Sequence, residues 1–151
     1  MTKYLTAIFT LVFSLQTLAD DPVADPETWY REGYAVLWAD NPGAQMEAML
    51  GYYHDTVETH SDDGLISRDS KRDWLVPSLE QWLAEGWVSA ELKELKTDQI
   101  NATTVSFKAS WIDRYEATPE EISCGWYLAD RIKGQWQFTA YADLDCAAHG
   151  L

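Results

Sequence analysis

The sequence predicts an α+β domain with its helices packed on one face of a curved antiparallel sheet. Three observations carry this reading. Apolar residues recur at helical spacing in three stretches between Trp29 and Leu83 with one short extended segment among them, the pattern turns to strict alternation from Thr103 onward, and helical and extended segments do not interleave regularly. A run of helices followed by a run of strands points to α+β and away from a parallel α/β sheet.

Residues 1–19 read as a secretory signal peptide. Lys3 and the free amine give a positive start, Tyr4 to Leu15 is an apolar run, and Thr17-Leu18-Ala19 places small residues at −3 and −1 of a cleavage after Ala19. A membrane span needs about 20 apolar residues, and this run is shorter. The expectation is a soluble mature protein, periplasmic or secreted. Residues 20–26 form a polar leader, 27–146 the domain and 147–151 a tail.

Asp25-Pro26 is a helix start, an N-cap acid followed by proline at the first position. Trp29, Tyr30, Gly33, Tyr34 and Leu37 then follow helical spacing, and Asn41-Pro42 opens a second helix with Met46, Met49, Leu50 and Tyr53 as its stripe. Thr56 to His60 reads as a short strand and Ser61 to Gly64 as a turn. Ser70-Lys71-Arg72-Asp73 resembles a capping box and opens a third helix bearing Trp74, Leu75, Leu79, Trp82 and Leu83, with Pro77 just past its first turn.

The rest is β. Ser89 to Lys96 is a strand and Asp98 to Asn101 a turn. Thr103 to Glu116 alternates, placing Val105, Phe107, Ala109, Trp111, Asp113 and Tyr115 on one face. In the last hairpin a three-residue loop, Ile132-Lys133-Gly134, pairs Arg131 with Gln135, Leu128 with Phe138 and Trp126 with Ala140. That register matches apolar with apolar and puts Gly134 at a left-handed position. It also leaves Tyr127, Thr139 and Tyr141 on the outer face.

Cys124 and Cys146 allow one intramolecular pairing, and an exported chain favours it. In the three-residue-loop register, however, Cys124 lies opposite Ala142, about 13 Å of strand short of Cys146. Cα atoms more than about 7 Å apart cannot be bridged. The chain must curl back beyond Asp143 for the disulfide to form; two free thiols are the alternative.

The net charge is −14, and loss of residues 1–19 removes one Lys and no acid, leaving −15. Such a chain repels phosphate backbones and anionic lipid, so neither nucleic acid nor membrane is an expected partner. The three histidines, His54, His60 and His149, are too dispersed for a metal site, and no phosphate-binding loop, dinucleotide fingerprint or nucleophile elbow occurs. No cofactor is expected.

Leu37 to Gly43, Met46 to Tyr53 and Asp55 to Glu58 resemble the helix, break, helix and strand of the nuclear transport factor 2-like superfamily, in particular its SnoaL-like polyketide cyclase and ketosteroid isomerase branch. Gly134-Gln135-Trp136-Gln137-Phe138 is similar to the close of that family's final hairpin. The likeness spans about residues 27–145. It implies a cone-shaped fold whose helices and concave sheet face enclose an apolar pocket, and frequent pairing through the sheet. In the isomerase branch the base is a carboxylate just after a Val-Glu pair; Val57-Glu58 match that pair, and Thr59 stands where the base would be. Threonine is no base at neutral pH, so the reading leans away from an enzyme.

Tyr30, Tyr34, Trp38, Thr59, Phe107, Trp111, Asp113 and Tyr115 are the candidate ligand-binding residues, with Asp113 the one candidate for chemistry. A plain aromatic core also explains Tyr30, Tyr34 and Trp38, and a solvated strand end also explains Asp113. The function expected is binding of a small apolar or aromatic molecule. The alternatives are a homodimer or association module joined through the outer sheet face and, behind it, an isomerase or dehydratase.

Overall fold

A computed structural model describes residues 25–61 and 63–151; the signal-peptide reading of residues 1–19 lies outside the described residues. Asp25 caps the first helical segment, its carboxylate accepting from the Thr28 amide at 3.0 Å. The segment is not uniform: α1 (Pro26–Thr28) passes into a π-helical stretch (Trp29–Tyr34) and then α2 (Val36–Ala39). The wider π turn is closed by the Ala35 amide donating to the Tyr30 carbonyl at 2.8 Å. Tyr30, Tyr34 and Trp38, four residues apart, are all buried. Asn41, in the left-handed region at φ 46°, turns the chain into a 3₁₀ turn (Pro42–Gln45) and α3 (Met46–Leu50).

Strand β1 (Tyr53–His60) starts earlier than the sequence suggests, and β2 (Ile66–Ser70) fills a stretch that the sequence reading left unassigned. Ser70 then caps α4 (Lys71–Ala84), its hydroxyl accepting from the Asp73 amide at 3.1 Å. Pro77 lies inside α4 without ending it. Four long strands follow: β3 (Trp87–Asn101), β4 (Thr104–Tyr115), β5 (Glu121–Ile132) and β6 (Gln135–Asp143). The turn expected at Asp98 to Asn101 is a correction, since β3 runs through it. Cys146 to His149, in part read as tail, form a short helix, α5.

The strands form one sheet in the order β2-β1-β6-β5-β4-β3. Every adjacent pair is antiparallel except β1 and β6, which run parallel, so the sheet is mixed. Register shifts in β3, and in β6 opposite Leu128 and Ala129 of β5, each mark an extra residue that bends the strand carrying it and raises its twist. Alternation in β4 holds: Val105, Phe107, Ala109 and Trp111 are buried against the helices. Phe107 and Phe138 from the sheet meet Tyr30 and Tyr34 with centroids between 4.8 and 5.7 Å apart, mostly tilted or edge-on. Burying a side chain of this size contributes about 1.5–3 kcal/mol.

The final hairpin corrects the register expected from sequence. Ile132 pairs with Gln135 across a two-residue Lys133-Gly134 turn, and both residues have positive φ, 51° and 83°. That is the pair of left-handed positions a primed hairpin turn needs, and its twist suits the strands. Next to the turn the pairing stays polar on apolar, Ile132 with Gln135 and Arg131 with Trp136, and a bulge follows: Ala129 pairs with Phe138 but Leu128 with Ala140, leaving Thr139 as the extra residue. Past the bulge the faces of β6 exchange. Tyr141 therefore joins Phe138 on the concave side, and Tyr127 opposite it is buried there.

The turn and the bulge each shift the register by one residue, and together they explain the disulfide. Gly125 pairs with Asp143, and the Leu144 amide donates to the Cys124 carbonyl at 2.9 Å. The chain then turns into α5 at Asp145, bringing Cys146 to 5.4 Å from Cys124 between Cα atoms, and the two are bonded.

Candidate functional site

The helices cover only part of the concave face. Between α4 and the far end of β4–β6 remains a cleft of about 260 Å³, lined by five tryptophans and five tyrosines. It has two walls. On one, Trp38, Trp82 and Trp87 form a triangle with centroids 6.1–6.3 Å apart. On the other, Tyr53 meets Trp74 at 5.3 Å, Trp74 meets Tyr141 at 5.5 Å and Tyr141 meets Tyr127 at 5.1 Å. Trp111 and Gly125 lie among the lining residues contributed by β4 and β5.

Each wall ends in a carboxylate. The Trp87 indole N–H donates to Asp113 Oδ1 at 2.9 Å, and the Tyr141 hydroxyl donates to Asp143 Oδ1 at 2.6 Å. Asp113 is half-buried, whereas Asp143 is exposed. Neither takes part in an ion pair among the described residues. Arg114, next to Asp113, points to the opposite face and binds Glu91 and Glu120. Burial, reinforced by Asp113, Glu121 and Glu85, holds the Tyr115 phenol above its ordinary range. Burial likewise pushes Tyr127 up to about 12 and Tyr34, Tyr53 and Tyr141 well above the usual phenol value. All these tyrosines are neutral hydrogen-bonding groups at neutral pH.

Of the residues singled out from sequence, Tyr34, Trp38, Trp111, Asp113 and Tyr115 line the cleft. Tyr30 and Phe107 are fully buried in the core behind it. Thr59 lies on β1 away from the cleft, its hydroxyl 2.7 Å from that of Ser67 on β2. Beside it, His60 and Arg68 both bind Glu58 at the surface. Trp74 and Trp82 of α4, Trp87, Tyr127 and Tyr141, with Asp143, were not foreseen as lining. Trp74 and Trp82 lie on the stripe the sequence shows for that helix, which is the signal that would have found them. Tyr127 and Tyr141, expected on the outer face, are corrected to the cleft by the hairpin register.

No family model matches the sequence, and no curated protein matches it. Solved structures do. An NTF-2-like protein of unknown function from Shewanella oneidensis superposes with a TM-score of 0.59 at 12% identity over 76% of this chain and 92% of that one. A protein with a cystatin-like fold from Caulobacter vibrioides gives 0.58 at 18% identity, over 79% and 87%. One from Xanthomonas campestris, provisionally assigned as a polyketide cyclase, gives 0.53 at 16%, over 78% and 89%. The chain thus has the nuclear transport factor 2-like, cystatin-like fold. At these identities the likeness concerns the fold alone, and one fold hosts many activities.

Proposed function

We propose that this is an exported module that binds a small apolar or aromatic molecule in the cleft without turning it over. The observation that carries the proposal is the cleft itself, about 260 Å³ with ten aromatic side chains and two carboxylates on its walls. Small-molecule sites are concave, mostly apolar and furnished with a few placed polar groups. The Cys124–Cys146 disulfide supports the export half of the reading, since such bonds persist in oxidising compartments. Among the described residues no helix is long and apolar enough to cross a membrane.

Catalysis ranks behind binding. The Xanthomonas neighbour carries a cyclase assignment, but the position matching the isomerase base is Thr59, which is bonded to Ser67 outside the cleft. The lining holds no histidine among the described residues. Association through the outer sheet face ranks lower as well, because Tyr127 and Tyr141, the aromatic residues proposed for it, lie in the cleft.

N-phenyl-1-naphthylamine, a neutral probe that fluoresces in apolar surroundings, tests the proposal. Saturable enhancement at one probe per chain is expected, with affinity lowered at least tenfold by Trp111→Ala or Trp74→Ala in variants that retain the native circular dichroism. Failure of the probe and of other neutral aromatic molecules to bind the native protein overturns it.

A further inference from the structure

The cleft carries two negative charges and no positive one. Asp113 on β4 and Asp143 on β6, the two strands flanking β5, both line it, and the lining contains no Lys, Arg or His among the described residues. Each carboxylate accepts from a neutral aromatic donor, Trp87 or Tyr141, which orients it without neutralising it. Nearby cations are engaged elsewhere: Lys71 binds the Tyr53 carbonyl and Asp55, and Arg114 binds Glu91 and Glu120. At the Tyr115 end, Glu121 and Glu85 add to the negative field.

We propose that the occupant of the cleft is an organic cation, an aryl or alkyl ammonium. This rests on the small-molecule reading above and narrows it to one charge class. A carboxylate covered by an apolar ligand loses water with nothing in exchange, which is costly. An anion is repelled. A cation compensates the aspartate it lies beside and lowers the field at the other, and the faces of tryptophan and tyrosine attract it further when it lies within about 6 Å of a ring centroid. The tryptophan triangle beside Asp113 and the Trp74–Tyr141 wall beside Asp143 supply such faces next to each charge.

The test compares phenyltrimethylammonium with its neutral isostere tert-butylbenzene. Both displace bound N-phenyl-1-naphthylamine, at 0.15 M salt so that the overall charge of the protein is screened beyond about 8 Å. Direct calorimetric titration with phenyltrimethylammonium accompanies the displacement. The expected result is at least a tenfold preference for the cation, falling below threefold in Asp113→Asn/Asp143→Asn, with each single variant intermediate. The single variants keep the test decisive if the double variant does not fold.

Equal displacement by the two isosteres, or a preference unchanged in the folded Asn variants, overturns the cation proposal and leaves the apolar cleft standing. If neither the neutral probe nor the cation binds, both readings fall together. If the cation binds in calorimetry and the neutral probe does not, the charge preference is upheld and the neutral-ligand reading falls.

Discussion

The hydroxyls of Tyr34 and Tyr53 lie 2.5 Å apart inside the core, tying the first helical segment to the first residue of β1. Either can donate, and both rings are almost wholly inaccessible to water. Removing one partner strands the other in an apolar setting, where an unsatisfied hydroxyl costs about 1–3 kcal/mol. Tyr34→Phe should therefore cost about 1–2 kcal/mol in urea unfolding. Tyr34→Phe/Tyr53→Phe should cost less than the sum of the singles, because the second substitution removes the stranded group.

The same pair contributes to the alkaline limit of stability. Burial raises the folded pKa of Tyr34 and Tyr53 well above the ordinary phenol value, and that of Tyr127 to about 12. The folded state thus holds its phenol protons where the unfolded chain has begun to release them. The stabilisation is complete below the unfolded value of about 10 and is lost as pH rises through the folded values. The midpoint of thermal unfolding should show no tyrosine-linked fall up to about pH 10 and then drop. Replacing Tyr34 and Tyr53 together by Phe should make that drop shallower.

How far the sequence reveals this structure depends on whether local pattern or long-range register decides. The Asp25-Pro26 and Ser70 caps and the alternation of β4 are local, and each has its expected place. The hairpin is not local in this sense. Its register combines a two-residue turn with a bulge at Thr139, and period-two reasoning assumes there is no bulge. The two-residue turn sends Tyr127 inward, the extra residue sends Tyr141 inward with it, and the two shifts together bring Cys146 to Cys124. Tyr127, Tyr141 and Asp143 were illegible for that reason, while Trp111 and Asp113 on β4 and Tyr34 and Trp38 on the first helix were legible from local pattern alone.

The turn yields a prediction of its own. Lys133 and Gly134 have φ of 51° and 83°, and a β-branched residue in the second position is strained. Gly134→Val should lower stability by more than about 1 kcal/mol. Lys133→Asn, which suits a left-handed position better, should raise it by several tenths of a kcal/mol. Unchanged thermal midpoints in both variants would contradict the turn.

The Cys124–Cys146 bond closes a loop with a sequence separation of 22 residues. Chain-entropy arguments give about 3 kcal/mol for a loop of this length. Cys124→Ser/Cys146→Ser should lose roughly 2–4 kcal/mol, with the end of β6 and α5 loosening first in hydrogen exchange. Alkylation of the native protein without reductant should modify no thiol; two modified cysteines per chain would refute the bond.

Gly125 tests the cleft from the protein side. A Cβ built on it would stand 3.0 Å from the Tyr141 ring and 3.1 Å from the Tyr127 ring, closer than side chains ordinarily approach. Both rings belong to the cleft wall, and Tyr127 is buried, so it has little room to retreat except into the cleft. Gly125→Ala should therefore act as a small overpacking substitution, costing about 1–3 kcal/mol. It should also weaken binding of N-phenyl-1-naphthylamine at least threefold in protein that retains native circular dichroism. A substitution elsewhere of equal stability cost, such as Gly134→Val, should leave probe affinity unchanged, which separates a narrowed cleft from a loosened fold. If Gly125→Ala binds the probe as tightly as the native chain, the tyrosine wall does not contact the ligand, and the binding surface must be sought on the Trp38–Trp82–Trp87 side.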